Sequence, residues 1–498
     1  MFQHLFPSMD SQALSTRESD GSSRDYLVGV AISLAVLLIR MPFALIDPAL
    51  WPDDFNYLVH VYNNPDQPVW YYVNLAGTKA YVSLVPMVEA WAYVHWAPNY
   101  LWTPYLFVGS SLILTALAQA LVLHPMSVSV LTNVLQRRLA FLLIVLLPVS
   151  TIGEVTTVAI QHVSWLMIAC WMVAVAVGHN RWIGELSPVG LLLYLVFLGL
   201  AIWSAPTAFV LIVVAAAGLV WKRVKHHHWS KSAIVLWTTL VLGVSFLVFG
   251  AVPGPSYLHQ YVVSPLLEGQ IGTSILAAFQ LGWLTLTHLF QAVSFDLFFG
   301  SESKLYLWRS FSWGAVAIHV SGALILLALI VGLWRARANS KGAAPALIAV
   351  AGVAVLLVAI NLAARWEPMN EAAIEGFRHW RWRYFTISQW MLAALLAVPL
   401  AAVLSGMRRT YCGVLMAIWL AVLNLSNAPK YEEFFKHEIS DPSIVHYGQI
   451  KGGEVRKRAE MTREAVRELM QVEAELSPGE TRAHPFGRYG HGVLVRKN

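Results

Sequence analysis

The chain has 498 residues, 57% of them hydrophobic and only 12% charged. A soluble protein of this size carries about 25% charged residues, so the composition excludes an ordinary soluble enzyme and points to a polytopic membrane protein. The net charge of +6 is too small for this length to argue for a nucleic-acid partner, and none is expected.

Residues 1–25 are polar and rich in Ser, Asp and Arg. They lack the short basic start and short apolar run of a cleavable signal, so the first apolar segment is expected to stay as a membrane helix. Apolar runs near the ~20 residues needed to span a bilayer follow at 26–46, 102–123, 138–151, 163–178, 188–204, 206–221, 232–251, 313–334, 343–363, 385–405 and 410–427. The fold class expected is an all-α polytopic membrane protein with about 11 transmembrane helices over residues 26–427. Around "WSAPTAF" the runs are either two spans joined by a turn at Pro206 or one long kinked element. Cys170 and Cys412 both lie inside apolar runs, so neither a disulfide framework nor a cysteine metal site follows.

Placing the N-terminal segment in the cytoplasm puts Arg137 and Arg138, Arg181, "KRVKHHHWSK" (222–231), "RARANSK" (335–341), and Arg408 and Arg409 in short inner loops. That is the basic bias expected of cytoplasmic loops. The long loops 47–101, 252–312 and 364–384, and the tail 428–498, then fall outside. Within the tail, "EVRKRAEMTREAVRELMQVEAELS" alternates charges at helical spacing and reads as one solvated amphipathic helix, a small outer cap with too little apolar content for a core of its own.

Three clusters on the outer side carry candidate chemistry. Asp53 and Asp54, in "DPALWPDDFNYLVHVY", leave the membrane directly after the first apolar run. The loop beyond them is dense in Trp and Tyr, as in segments lying at headgroup level. A carboxylate in a partly desolvated cleft there suits a general base. The plainer alternative, compatible with it, is that the acids favour a helix N-terminus. The second cluster is "RWEPMNEAAIEGFRHWRWRYFTIS", with Arg365, Arg378, Arg381 and Arg383 among Trp380, Trp382 and Tyr384. Arginines are unexpected on the outer side, and their forked guanidinium groups suit a phosphate; the alternative is interfacial snorkelling and cation–π packing. The third is "PVSTIGEVTTVAIQHVSW", with Glu154, Gln161 and His162 at the outer ends of two helices. An ionisable residue at that depth is a functional candidate, whereas a lone His is more often a packing residue.

This pattern resembles the GT-C superfamily of integral-membrane glycosyltransferases, and more closely a bacterial group within it. The resemblance rests on "PDDF" in the first outer loop, the following stretch "KAYVSLVPMVEAWAYVHW" and a many-helix core. It extends through "AGTKAYVSLVP", "GEVTTVAIQHVSW", "WSAPTAF" and "RYF" in order over residues 26–390; the tail takes no part in it. It implies a multi-pass protein of the bacterial inner membrane with its active site facing the periplasm. It also implies an inverting transfer of a monosaccharide from a polyprenyl-phosphate donor to a hydroxyl on a glycan, lipid or protein acceptor. Asp53 would be the base and Asp54 would help to orient or bind. Arg378, Arg381 and Arg383 would stabilise the leaving phosphate. Lys79, Glu89, Glu154, His162 and Tyr384 are the further substrate-binding candidates. Some relatives use a divalent metal, but no oxygen-ligand cluster here is dense enough to assign one.

Two other functions compete. An O-antigen polymerase or ligase also handles polyprenyl-linked glycans outside the membrane, but depends on outer-loop arginines rather than on a first-loop acid pair. A lipid-linked glycan transporter or flippase would show charged residues and broken helices near mid-membrane, and these runs are nearly free of charge. A non-catalytic scaffold would explain neither the acid pair nor the arginines.

Overall fold

In the computed structural model the described residues are 23–40, 48, 50, 52–73, 83–146, 158–178, 181–205, 207–225, 230–250, 258–299, 306–307, 310–337, 343–364, 385–404, 410–411, 413–422, 454–486 and 491–496. Each run expected from hydropathy is helical over its described part. The helices in chain order begin with α1 (Ser23–Arg40), then α2 (Pro52–Asn63), α3 (Val69–Val73) and α4 (Leu84–Trp96) in the loop after the first apolar run. There follow α5 (Trp102–Ala120), α6 (Val134–Leu146), α7 (Val158–Val177), α8 (Arg181–Glu185), α9 (Pro188–Ser204), α10 (Leu211–Lys225) and α11 (Lys231–Ser245). The chain continues through α12 (Ser264–Leu267), α13 (Ile271–His288, helical onward to Phe299), α14 (Gly314–Arg337), α15 (Ala344–Ala364), α16 (Thr386–Leu404) and α17 (Gly413–Val422). The tail adds α18 (Glu454–Glu475) and a hairpin of β1 (Thr481–Phe486) and β2 (His491–Arg496).

Among the described residues six helices are long and apolar enough to cross a membrane, and four more apolar helices are shorter. This is a membrane-embedded helical protein, though its helices do not reproduce a count of eleven spans. The break at "WSAPTAF" is real. Ala205, forced out of the α region by the proline that follows, has φ −119° and ψ 105°, and it separates α9 from α10.

One of the six long helices, Ile271–Phe299, lies inside the stretch 252–312 expected as an outer loop. Its burial pattern is inverted relative to a helix in water. Ile275, Leu276, Phe279 and Trp283 are exposed, while Thr285, His288, Gln291, Ser294 and Asp296 are buried. A membrane helix that meets lipid on one side and protein on the other turns its polar residues inward in this way. Gln291 Nε2 lies 2.6 Å from Nε2 of His319 on α14, closing part of that inner face.

The body is built around α7, which packs against α5, α9, α10, α11 and α15. Residues 163–178 are all buried, as expected for a helix that is apolar on every side. It is stitched to its neighbours by side-chain hydrogen bonds: Trp171 Nε1 donates to Ser127 Oγ at 2.8 Å, and the Met172 carbonyl accepts from Tyr194 Oη at 2.8 Å. At its C-terminal end the Gly178 carbonyl accepts from Lys222 Nζ at 3.2 Å. α16 is the second buried helix, set against α6, α14 and α15.

A separate core lies at the end of the bundle where α5 begins. Leu50, Tyr57, Leu58, Val61, Tyr62 and Tyr72 from the first loop, and Met87 and Ala90 from α4, meet Ala465, Leu469, Val472 and Leu476 from α18 and Val493 and Val495 from β2. The tail therefore carries a helix and a hairpin rather than one helix. α18 has the expected amphipathic stripe at 461, 465, 469, 472 and 476, and it is buried. The hairpin is antiparallel with Thr481 opposite Arg496 and Phe486 opposite His491. Alternation buries Val493 and Val495 and exposes Leu494. The shared core places the tail and the first loop at the same end of the bundle.

Candidate functional site

α2 begins at Pro52, with Asp53 and Asp54 at its second and third positions. Proline suits the first helical position, since its fixed φ is helical and its missing N–H has no partner there anyway; acids in the first turn complement the helix dipole. The backbone thus accounts for the acid pair in helical terms without removing it from chemistry. The side chains of Asp53 and Asp54 lie outside the described residues. Two turns further along α2, the His60 ring stacks nearly parallel to Tyr71 (12° between planes, 6.4 Å between centroids) and edge-on to Tyr72 (5.6 Å). Burial holds this imidazole below its ordinary pKa, so it is neutral. Its Nε2 is buried with no hydrogen-bond partner among the described residues.

α4 lies against α5 and α9 near the start of α7 and brings a carboxyl group to them. Glu89 Oε2 accepts from Gln161 Nε2 at 2.7 Å and from Ser110 Oγ at 3.1 Å. Gln161, fully buried in the first turn of α7, also reaches Ser110 Oγ (3.2 Å) and Ser111 Oγ (3.1 Å) on α5. The Tyr93 hydroxyl, one turn along α4, hydrogen-bonds to the same carboxyl group. Burial raises the Glu89 pKa above the usual carboxylate range despite the lowering effect of these hydrogen bonds. Burial and the neighbouring carboxyl group together hold the Tyr93 phenol protonated. Six residues before Glu89, Ser83 Oγ lies 2.7 Å from His162 Nε2, and the Val85 N–H donates to Ser204 Oγ at the end of α9 (3.0 Å). The result is a half-buried carboxyl group ringed by hydroxyl and amide groups, one that can hold a proton or accept a hydrogen bond from a hydroxyl.

The helix that leads into the arginine-rich segment finishes at the same end of the bundle. Gly178, just past α7, packs against Ala346 at the start of α15. α15 runs back along α7 from there, so its last turns, with Asn361, return to the end where α7 begins. Phe385, directly before α16, is 5.3 Å from the His288 ring, centroid to centroid.

Of the residues singled out by sequence, Glu89 and His162 are brought together with Gln161 on neighbouring turns of α4 and α7. Lys79, Glu154, Arg365, Arg378, Arg381, Arg383 and Tyr384 lie outside the described residues. Sequence reading missed Ser83, Tyr93, Ser110, Ser111 and His60. The only signal for the serine pair is the polar doublet in the apolar run "FVGSSLILT". Among the described residues no three of His, Cys, Asp and Glu converge as a metal-ligating group. No protein-family model matches the chain, and no curated relative matches its sequence.

Proposed function

We propose that the protein is an integral-membrane glycosyltransferase of the GT-C kind, which moves a monosaccharide from a polyprenyl-phosphate donor to an acceptor hydroxyl on the periplasmic face of the inner membrane. In this reading the acceptor oxygen attacks the anomeric carbon as Asp53 takes its proton. The bond from that carbon to the phosphate oxygen breaks, and the electron pair leaves with the lipid phosphate. The configuration inverts. Asp54 orients the acceptor, and Arg378, Arg381 and Arg383 meet the charge developing on the phosphate.

The observation that carries the reading is convergence at one end of the bundle. The acid-bearing helix, the Glu89–Gln161 cluster and the end of α15, which leads into the arginine-rich segment, are contributed by distant parts of the chain, and all stand there. Glu89, with His60 and its tyrosines, supplies the hydrogen-bonding and stacking surfaces that a sugar ring uses.

The test is turnover in proteoliposomes with a panel of radiolabelled polyprenyl-phosphate monosaccharides and mixed glycan, lipid and peptide acceptors. One donor should be consumed, and Asp53→Asn should slow its consumption by about 10²–10⁴-fold with an unchanged unfolding profile. Full turnover by Asp53→Asn would remove the base assignment. A panel in which no donor is bound or consumed would overturn the transferase reading.

A further inference from the structure

The tail from 454 onward takes no part in the GT-C resemblance, yet it is built into the same core as the acid-bearing helix. α2 has 12 residues, shorter than a helix that persists unaided in water. It is tied at both ends to the tail. Two residues before Pro52, the Leu50 N–H donates to Thr462 Oγ1 on α18 at 3.1 Å. Leu50 and Thr462 are each only 1% exposed, so that hydrogen bond is shielded from water. At the last residue of α2, Asn63 Oδ1 accepts from the Leu494 N–H of β2 at 2.9 Å. Between the two ties, Tyr57, Leu58, Val61 and Tyr62 fill the space against Ala465, Leu469 and Val472. α18 also packs on both strands of the hairpin, and α2 packs against α4 as well as against β2, so the tail adds a second set of restraints to the one α4 supplies.

We propose that the C-terminal helix and hairpin are a clamp on α2, with Thr462 and Asn63 as positioning residues that hold the backbone presenting Asp53. This rests on the reading of Asp53 as the base. The tail does no chemistry itself; it sets the register and tilt of α2 relative to α4. Small displacements of a catalytic group cost rate rather than affinity, so the clamp acts on the rate of the chemical step.

The experiment compares the full-length protein with Thr462→Val, Thr462→Ser, Asn63→Leu and Asn63→Asp. It reads backbone amide exchange across α2 in detergent and, with the donor found above, kcat and KM. Thr462→Val leaves the Leu50 N–H without its acceptor and should speed exchange in the first turns of α2 by about tenfold. Asn63→Leu should do the same in its last turn, while exchange in α16 stays at the wild-type rate. Thr462→Ser and Asn63→Asp keep the acceptor and should restore protection. In turnover, Thr462→Val should lower kcat about tenfold or more with donor KM unchanged, and Thr462→Ser should recover it. Unchanged exchange in α2 for both Thr462→Val and Asn63→Leu would overturn the clamp. So would loosening that spreads to α16, or faster exchange with kcat unmoved. If the wild-type protein turns over no donor, the exchange measurement still decides the clamp, and the loss falls on the transferase reading alone.

Discussion

The membrane body and the cap formed by the first loop and the tail reach the same degree of burial by different routes. In the body, α7 and α16 are apolar on every side, and their neighbours reach them through Ala, Val and Leu with few side-chain hydrogen bonds. In the cap, four aromatic residues, Tyr57, Tyr62, Tyr72 and Phe107, sit at the centre, and the ties that close it join residues 412 and 431 positions apart. The body is a product of hydropathy, assembled by whatever helices enter the bilayer. The cap exists only once the last residues of the chain have arrived.

The comparison breaks most sharply at a backbone contact inside the body. A Cβ on Gly322 of α14 would collide with the Phe290 carbonyl group, so the two helices meet backbone to backbone. Gly322→Ala cannot be absorbed by turning a side chain. It should cost about 3 kcal/mol or more, at the upper end for overpacking, and lower the main unfolding transition in detergent. Cap and body should fall together, because the cap rests on α5. A transition within the wild-type range would mean that helices α13 and α14 do not touch there.

Leu469→Ala probes the other side. Leu469 is fully buried between α18 and the first-loop helices. Its truncation should cost about 2–3 kcal/mol, near the low end for a buried leucine because the open side of the cap collapses more readily than the body. Here the effect should stay local. The tail should become sensitive to proteolysis while the main transition remains in place. Loss of the main transition would mean that cap and body are one cooperative unit.

Legibility in the sequence follows the same division. The body helices are apolar for their full length, so their positions could be read to within a few residues: 188–204 was expected, and Pro188–Ser204 is found. Ile271–Phe299 was missed because Thr285, His288, Gln291, Ser294 and Asp296 dilute its hydropathy, and nothing in the sequence says that those residues face protein rather than water. The cap was half legible. The stripe on α18 could be read from spacing, but not what it covers, since a pairing such as Leu50 with Thr462 leaves no local trace. The hairpin was overlooked because "HGVLVR" is a short alternating run whose partner strand contains a proline, Pro485. At the site, the acid pair announces itself by its place after an apolar run. The serines around Glu89 do not, because hydroxyls inside a membrane helix are usually satisfied by their own backbone, as Thr115 Oγ1 is by the Ser111 carbonyl at 2.7 Å.

The smallest expected effect lies on the seam between the two regions, at Glu89. Burial raises this carboxyl group above its ordinary pKa of 4.5, so the folded protein keeps a proton there that the unfolded chain releases. The linkage therefore runs opposite to that of a salt-bridged acid. The stabilising contribution is complete below pH 4.5 and drains away as the pH rises through the folded value. Glu89→Gln has no proton to lose, and its carbonyl oxygen can still accept from Gln161 and Ser110. The two proteins should unfold at similar temperatures near pH 4.5, and the variant should gain on the wild type as the pH is raised toward neutrality. Unfolding curves recorded in detergent across that range decide the matter. If the two lines stay parallel, the Glu89 carboxyl binds protons alike in the folded and unfolded protein, and the seam is wetter than its packing indicates. If they diverge as expected, the body ends in a neutral, hydrogen-bonded lid beneath the cap, and in the proposed transferase reading the base then belongs to the cap's own acids on α2.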